Sequence, residues 1–253
     1  MPTLTAPPPP LLRPRIAPQL ESPSVSFFGR TLAEYTRFFA LDLAALRNRD
    51  VLDVGAGPSS FTAEASARRI DAVAVDPLYG SRLEALEAHV QLDSEKEIAQ
   101  MRANRRLFKV GAGESRPFVS LAAAEEDRRL AAQRFLADYA AHFVHGRYVG
   151  GSLPRLPFFD GTFDLVLCAH LLFVYAQRFD FEWHVAACRE LVRVSAGEVR
   201  LHPLCGPDGK PYPKLAALRR ELKTLGIASD VHAVDYEFLA GAHAMLVLRR
   251  SAP

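Results

Sequence analysis

The chain has 253 residues, of which 49% are hydrophobic and 24% charged, and its formal net charge is +2 with a pI near 8.5. This length and composition fit one large α/β domain and do not require a second one. The charge is too mild to indicate nucleic acid or a membrane surface as partner, and no run approaches the roughly 18 apolar residues of a membrane span. Because the N-terminus also lacks a secretory pattern, we expect a cytoplasmic protein.

The three cysteines, Cys168, Cys188 and Cys205, are odd in number and fall in no metal-ligand spacing. This pattern is typical of reduced cysteines that pack in a core, and it indicates neither a disulfide framework nor a metal site.

Residues 1–24 contain four consecutive prolines at 7–10 and three more nearby. Proline lacks an amide donor and fixes φ, so this segment is predicted to be a disordered tail before a domain over residues 25–253. A proline-rich ligand for a partner protein is the alternative interpretation.

The first predicted helix has Thr31 as its N-cap and ends near Leu46. Its apolar residues recur at helical spacing and should face a core; they are Leu32, Tyr35, Phe39, Leu43 and Leu46.

Strands and helices alternate after this helix. Strands are predicted at 51–54, 72–75, 163–168, 198–201, 231–238 and 244–248, and helices at about 60–69, 181–194 and 215–225. The alternation indicates an α/β fold with a doubly wound, mostly parallel sheet. The last two strands leave no room for a helix between them, so they should form an antiparallel hairpin at the sheet edge.

Residues 81–145 interrupt this alternation, because one crossover helix needs far fewer residues. Their composition, rich in Ala, Glu, Arg and Leu, predicts several helices inserted between the second and third strands. Long insertions at the carboxyl edge of a sheet often cover substrates, so we expect a helical lid over a substrate pocket. An outer layer that stabilises the sheet or a dimer is the alternative.

The most informative stretch runs from Val51 to Phe61 and reads VLDVGAGPSSF. A strand ending in a glycine turn that opens a helix brings a nucleotide-like ligand against the backbone. A dinucleotide-binding loop has a third glycine where Ser60 stands here. The acid Asp53, which precedes the first glycine, would repel a pyrophosphate but suits a ligand with a cationic amine and sulfonium. Asp76 ends the next strand, where a carboxylate can accept both hydroxyls of a ribose.

These residues resemble the class I S-adenosylmethionine (SAM)-dependent methyltransferases. The sequence from Asp53 to Gly57 is similar to the family's first motif, and Asp76 is similar to its ribose-binding acid. The segment 156–166 resembles the approach to the family's fourth strand, and 189–194 resembles the helix before its fifth. The resemblance covers residues 27–80 and 146–250 and leaves the insertion unexplained.

The resemblance implies a Rossmann-like, seven-stranded sheet, SAM as cofactor and a set of cofactor-binding residues. That set is Asp53, Gly55, Ala56, Gly57, Asp76, Pro77, Ser152 and Leu153. Ser152 stands where the family often has an acid that binds the adenine amino group, and its hydroxyl can still accept one hydrogen bond.

His170 follows the fourth strand and is the candidate catalytic residue, either as a general base or as part of the substrate pocket; a packed or solvated histidine is the alternative. Tyr35 and Arg30 could cover the cofactor or reach its carboxylate, but we expect core packing for Tyr35 and solvent exposure for Arg30. For the cluster Glu182, Trp183 and His184 we expect a structural helix face.

The expected function is methyl transfer to a small-molecule acceptor. The segment after the fourth strand lacks the Asn/Asp-Pro-Pro-aromatic motif of methyltransferases that act on base amino groups, and no paired catalytic cysteines are found. RNA or protein methylation, SAM binding without transferase activity and a nicotinamide dehydrogenase are the alternatives. The sequence does not indicate the acceptor or the oligomeric state.

Overall fold

The computed structural model describes residues 25–251, so the predicted tail at 1–24 lies outside the described residues. Its centre is a seven-stranded sheet in the order β3-β2-β1-β4-β5-β7-β6. The strands are Asp50–Val54 (β1), Asp71–Asp76 (β2), Tyr148–Gly150 (β3), Phe163–Ala169 (β4), Ser195–His202 (β5), Ile227–Ala233 (β6) and Ala244–Arg250 (β7).

The pairs β1–β2, β1–β4, β2–β3 and β4–β5 are parallel, whereas β7 runs antiparallel to both β5 and β6. The predicted fold class is therefore confirmed, including the antiparallel hairpin at one edge. The connection of this hairpin is longer than predicted: β6 ends at Ala233, and the following residues up to 243 form an irregular loop.

In the described part of the chain, six helices accompany the sheet: Leu32–Phe38 (α1), Phe61–Ser66 (α2), Leu83–Ala103 (α3), Leu121–His142 (α4), Phe181–Val194 (α5) and Leu215–Thr224 (α6). Single 3₁₀ turns follow α3 and α4. Side chains alternate between the two faces of β1, so Val51 contributes to a core with α1 and α2, while Leu52 and Val54 contribute to a core with α5 and α6. The sheet is thus buried on both faces, as a mostly parallel sheet requires.

The first helix is shorter than predicted. It ends at Phe38 because Ala40 adopts a left-handed conformation with φ of 49°, and the chain continues in turns as far as 48. Of the predicted core residues, Leu32, Tyr35 and Phe39 are buried, whereas Leu43 and Leu46 only pack against the edge of the core.

The insertion consists of α3, α4 and the loop between them, in agreement with the prediction of several helices. The loop pairs with the connection between β6 and β7: Lys109 N donates to Phe238 O over 2.7 Å, and Glu237 N donates to Ser115 O over 2.7 Å. The insertion is therefore attached to the far side of the fold as well as to the strands that flank it.

All three cysteines are buried and free, which agrees with the predicted packing role. Within residues 25–251, no helix has the length and apolarity to cross a membrane, and no group of three or more metal-ligating side chains is found.

Candidate functional site

The glycine turn after β1 is the centre of the site. Gly55 and Gly57 have φ of 65° and 55°, a region that side chains rarely adopt. The amides of Gly55 and Ala56 both donate to Val75 O, over 2.9 and 3.3 Å, which fixes the turn to the end of β2. A Cβ atom on Gly55 would lie 2.8 Å from Leu171 Cδ2, so glycine keeps open the space between this turn and the loop after β4.

Asp76, at the end of β2, is bound to the same turn. Its Oδ2 accepts from Gly57 N over 3.1 Å and its Oδ1 from Leu78 N over 3.0 Å. Burial raises the pKa of this carboxyl to about 6, although the two backbone hydrogen bonds favour its ionised form. Asp76 therefore orients the glycine turn while the residue itself lines an open cleft.

Asp53 is fully buried beneath the turn and lines neither of the two cavities that flank it. The hydroxyl of Tyr35 lies 3.1 and 3.0 Å from its two carboxylate oxygens. Burial raises the pKa of Asp53 to about 8; the Tyr35 hydrogen bond lowers it and the nearby Asp76 raises it further. Tyr35 is packed in the core as predicted, and it also holds this carboxyl.

A cleft of about 430 Å³ opens at the carboxyl ends of β1, β2 and β3. We call it the Asp76 cleft. It brings together five of the predicted cofactor-binding residues, namely Gly55, Asp76, Pro77, Ser152 and Leu153. Their binding role stays a prediction, but their convergence on one cleft of ligand size is a property of the fold.

Trp183 and Phe179 form an aromatic wall of the Asp76 cleft, with ring centroids 3.7 Å apart in a stacked pair. The sequence indicated a structural role for Trp183 and did not predict its contact with the cleft. Its neighbour His184 does have the expected structural role, because its two ring nitrogens contact Asp180 O and Leu172 O.

A second cavity, of about 90 Å³, lies on the other side of Gly55 and Leu171, which line both spaces. We call it the Arg30 cavity. Ala56, Gly57 and His170 line it, so the remaining predicted residues except Asp53 are found here.

Residues 25–30 form a strap across the two cavities. Ser26 N donates to the Tyr175 hydroxyl over 3.1 Å, and Phe27 N donates to Asp93 Oδ2 over 2.6 Å. Ser60 N donates to Arg30 O over 3.0 Å. A Cβ atom on Gly29 would overlap the carbonyl oxygen of Pro58, so glycine is required where the strap crosses the turn.

The Arg30 side chain departs from our expectation of solvent exposure. It lines the cavity, its Nε is buried, and this atom has no hydrogen-bond partner among the described residues. Its NH1 donates to Phe28 O over 3.2 Å. Burial and the neighbouring Arg128 lower the pKa of this guanidinium.

Arg128 of α4 reaches the same cavity as part of a buried ion pair. Its two terminal nitrogens contact the two carboxylate oxygens of Glu34, which also accepts from the Tyr236 hydroxyl. The pair lies where α1, the insertion and the loop after β6 meet. A bidentate contact of this kind holds both side chains in fixed positions.

His170 directly follows β4 and lines the Arg30 cavity, and it has φ of 52°. Its backbone N donates to His202 O over 2.6 Å, and its ring Nδ1 is buried without a partner among the described residues. Burial, then the nearby Arg30, lowers the pKa of the ring well below 6.5, so the imidazole is neutral at neutral pH.

No protein-family model matches the chain. An uncharacterised protein of Methanocaldococcus jannaschii is 28% identical over 225 residues, which are 88% of this chain and 95% of that protein.

Several of the solved structures similar to the chain are methyltransferases. Magnesium protoporphyrin IX methyltransferase of Synechocystis, crystallised with SAM, is 14% identical with a TM-score of 0.40 over 82% of this chain and 74% of its own. The 1,6-didemethyltoxoflavin-N1-methyltransferase of Burkholderia thailandensis, with 1,6-didemethyltoxoflavin and S-adenosylhomocysteine (SAH) bound, is 16% identical with a TM-score of 0.42 over 83% and 76%.

The seven strands form the mostly parallel sheet with an antiparallel edge hairpin that is expected from the sequence. They confirm the class I methyltransferase fold.

Proposed function

We propose that the chain is a SAM-dependent methyltransferase that acts on a small-molecule acceptor. The observation that carries this proposal is the meeting of the Asp76 cleft and the Arg30 cavity at Gly55 and Leu171. Val25 and Ser26 of the strap line both spaces as well, so a ligand in the cleft and a second ligand in the cavity would lie next to each other, which is the arrangement that a direct transfer between two bound molecules needs.

The residues of the cleft fit the adenosine part of SAM. Asp76 supplies a carboxylate for the ribose hydroxyls, the aromatic wall of Trp183 and Phe179 supplies a flat apolar surface for a base, and Ser152 supplies a hydroxyl. The turn at Gly55 and Gly57 permits the backbone to approach the rest of the cofactor.

Asp53 favours a cationic ligand. Its carboxyl is buried and has a pKa of about 8, so ionisation beneath the turn becomes favourable when a positive charge lies above it. A nicotinamide dinucleotide would instead place a negatively charged pyrophosphate there, which disfavours the dehydrogenase alternative.

SAM, when bound, supplies a methyl group that its sulfonium already activates. The chain therefore has to align the acceptor and exclude water more than it has to provide covalent help. The strap at 25–30 and the insertion enclose the junction, since Ser26, Met101 and Phe108 line the cavity.

His170 is placed to contact the acceptor beside the junction. Its lowered pKa makes protonation costly, so we propose that it positions the acceptor through a hydrogen bond at Nδ1 and is not a strong general base.

The test is incubation of the protein with methyl-labelled SAM and a cell extract, with and without nuclease or protease treatment. Label in small metabolites supports the proposal. Label lost on nuclease or protease treatment supports the RNA or protein alternative, and SAM binding without any label supports a binding protein. The Asp76→Ala variant is the control, because labelling that depends on this cleft should be lost in it.

A further inference from the structure

A third open space, of about 400 Å³, lies between the loop after β4 and the loop that joins β5 to α6, outside the two cavities of the proposed function. We call it the aromatic groove. Four aromatic residues line it, namely Phe173, Phe179, Phe181 and Tyr212, together with three prolines of the second loop. Its volume is within the range of sites that bind a small ligand or a short stretch of chain.

The groove also carries polar groups that are free to bind a ligand. Within the described residues, the Tyr212 hydroxyl and the Gln177 side-chain amide form no hydrogen bond, and Lys214 forms no ion pair. The ammonium of Lys214 lies 5.8 Å from the centroid of the Phe181 ring. Aromatic side chains with a few donors between them are typical of grooves that bind proline-rich segments in the polyproline II conformation, whose carbonyls remain free to accept.

The described chain begins beside this groove. Ser26 N donates to the Tyr175 hydroxyl over 3.1 Å, and Val25 lines the Asp76 cleft together with Phe179. Because Phe179 also lines the aromatic groove, a single side chain separates Val25 from it. The 24 residues before Val25, which we call the tail, carry prolines at 7–10, 14, 18 and 23. Residues 18–24 span roughly 23 Å when extended, which is enough to bring Pro18 into the groove.

The tail could also reach a groove of about 610 Å³ between α3 and α4. None of the described residues that line this second groove is aromatic, and each of its arginines already pairs with a carboxylate. Proline-rich segments dock on aromatic side chains, so the chemistry of the tail favours the aromatic groove. The charges agree, because Glu21 is the one acid of the tail and Lys214 is a cation without an ion pair in the described chain.

We propose that the tail of this same chain docks in the aromatic groove, with Pro14 and Pro18 against the aromatic rings and Glu21 beside Lys214. The contact is intramolecular, because Val25 holds the end of the tail next to the groove and a tethered segment has a high effective concentration there. Docking also holds Val25 at the Asp76 cleft. The proposal does not depend on the identity of the cofactor, and it differs from the free tail expected from composition alone.

Trypsin cleavage of the full chain tests this docking. The bond between Arg15 and Ile16 lies between Pro14 and Pro18, whereas Arg13 precedes a proline and resists trypsin. We expect trypsin to cleave this bond at least tenfold more slowly in the native protein than in a synthetic peptide of residues 1–24, because a protease acts on the undocked segment. Mass spectrometry of the products identifies the cleaved bond.

Variants of the groove locate the tail. Lys214→Glu and Tyr212→Phe, which remove the cation and the hydroxyl donor, should each raise the cleavage rate at least threefold. Combining Lys214→Glu with Glu21→Lys restores the opposite charges and should return the rate towards that of the wild type. Lys223→Glu, which reverses an exposed charge in the last turn of α6, is the matched control and should change nothing.

Three results would overturn the inference. One is cleavage of the native chain as fast as the free peptide. Another is protection that Lys214→Glu and Tyr212→Phe leave unchanged; if Glu95→Gln removes that protection, the tail lies between α3 and α4 instead. The third is protection that increases with protein concentration, because the groove would then hold the tail of a second copy.

Discussion

The Asp76 cleft and the Arg30 cavity meet at the same glycine but are constructed differently. About half of the residues that line the cleft come from the ends of β1 and β2 and from the turns after β1, β2 and β3, and the backbone itself, through Gly57 N and Leu78 N, orients the central carboxylate. The cavity shares the glycine turn after β1, and its other walls come from α1, the strap, the insertion, the loop after β4 and the loop after β6. Parallel strands end at the same edge of the sheet, so short turns after neighbouring strands are enough to form the cleft. The cavity needs segments that lie about 200 residues apart in the chain.

This difference indicates which substitutions should affect the Asp76 cleft and which should affect the Arg30 cavity. The cleft depends on backbone geometry that the sheet imposes, whereas the cavity depends on side chains from segments that the sheet leaves free. Changes in the cleft should therefore alter cofactor binding, and changes in the cavity should alter the choice of acceptor.

The largest effect is expected for Asp76→Ala. The substitution removes charge-assisted hydrogen bonds to the ribose and frees Gly57 N, so SAH affinity should fall by about 1–3 kcal/mol, or roughly 5- to 150-fold. Calorimetry measures this, with Asp71→Ala as the matched control, because Asp71 lies exposed at the start of the same strand. Unchanged affinity in a folded Asp76→Ala variant would place the ribose elsewhere.

The effect of pH on SAM binding should be the next largest effect. The pKa values of Asp53 and Asp76 are raised to about 8 and about 6, so both groups hold protons that a cationic ligand displaces. SAM affinity should rise on the order of tenfold between pH 6 and pH 8, with proton release measurable by calorimetry in two buffers of different ionisation enthalpy.

The same two carboxyl groups make the free energy of unfolding of the unliganded protein fall as pH rises, whereas SAM affinity rises. A raised folded-state pKa favours the protonated native state, so this contribution to the free energy of unfolding is complete below about pH 4 and is lost as pH rises through 6 and 8. Asp53→Asn should remove most of the dependence in denaturant titrations. An identical pH dependence in wild type and variant would show that Asp53 is not protonated in the native state.

Gly55→Ala should have a smaller effect on SAH binding. With a control variant, it distinguishes the backbone strain at positive φ from the contact of the new Cβ with Leu171. Gly226 has a similar φ of 73°, and a Cβ placed on it would have no atom within 4 Å, so Gly226→Ala is the matched control. Both should lower the free energy of unfolding by about 1–2 kcal/mol. Only Gly55→Ala should weaken SAH binding, since its Cβ meets Leu171 at the junction. Equal SAH affinity in the two variants would mean that the cofactor does not approach Gly55.

The smallest effect concerns the insertion at 81–145, whose lid role stays a prediction. Its side chains line both cavities, and it is attached to the loop after β6. If it closes over ligands, hydrogen exchange across α3 and α4 should slow when SAH and an acceptor bind. Exchange that is already slow in the free protein and unaffected by ligands would indicate a static layer.

The meeting of five predicted residues in the Asp76 cleft follows from local signals in the sequence, and their binding role stays a prediction. Gly55, Gly57 and Asp76 lie next to the strands that position them, and the apolar runs of those strands determine the edge at which they meet. The alternation of strands and helices likewise predicted the sheet, including the reversed last strand.

The cavity could not be predicted in the same way. Nothing in the pattern around Arg128, in a charged helix of an insertion, indicates that it contacts Glu34, 94 residues earlier in the chain. The exposed role expected for Arg30 was wrong because tertiary packing of the strap buries its Nε. The early end of α1 at Phe38 also depends on a left-handed Ala40, which helix propensity does not predict.

The central claim is that the Asp76 cleft binds the adenosine part of SAM, and calorimetric titration of the wild-type protein with SAH and with NAD tests it most directly. We predict saturable SAH binding that Asp76→Ala weakens, and no binding of NAD. Binding of NAD without binding of SAH would contradict the account.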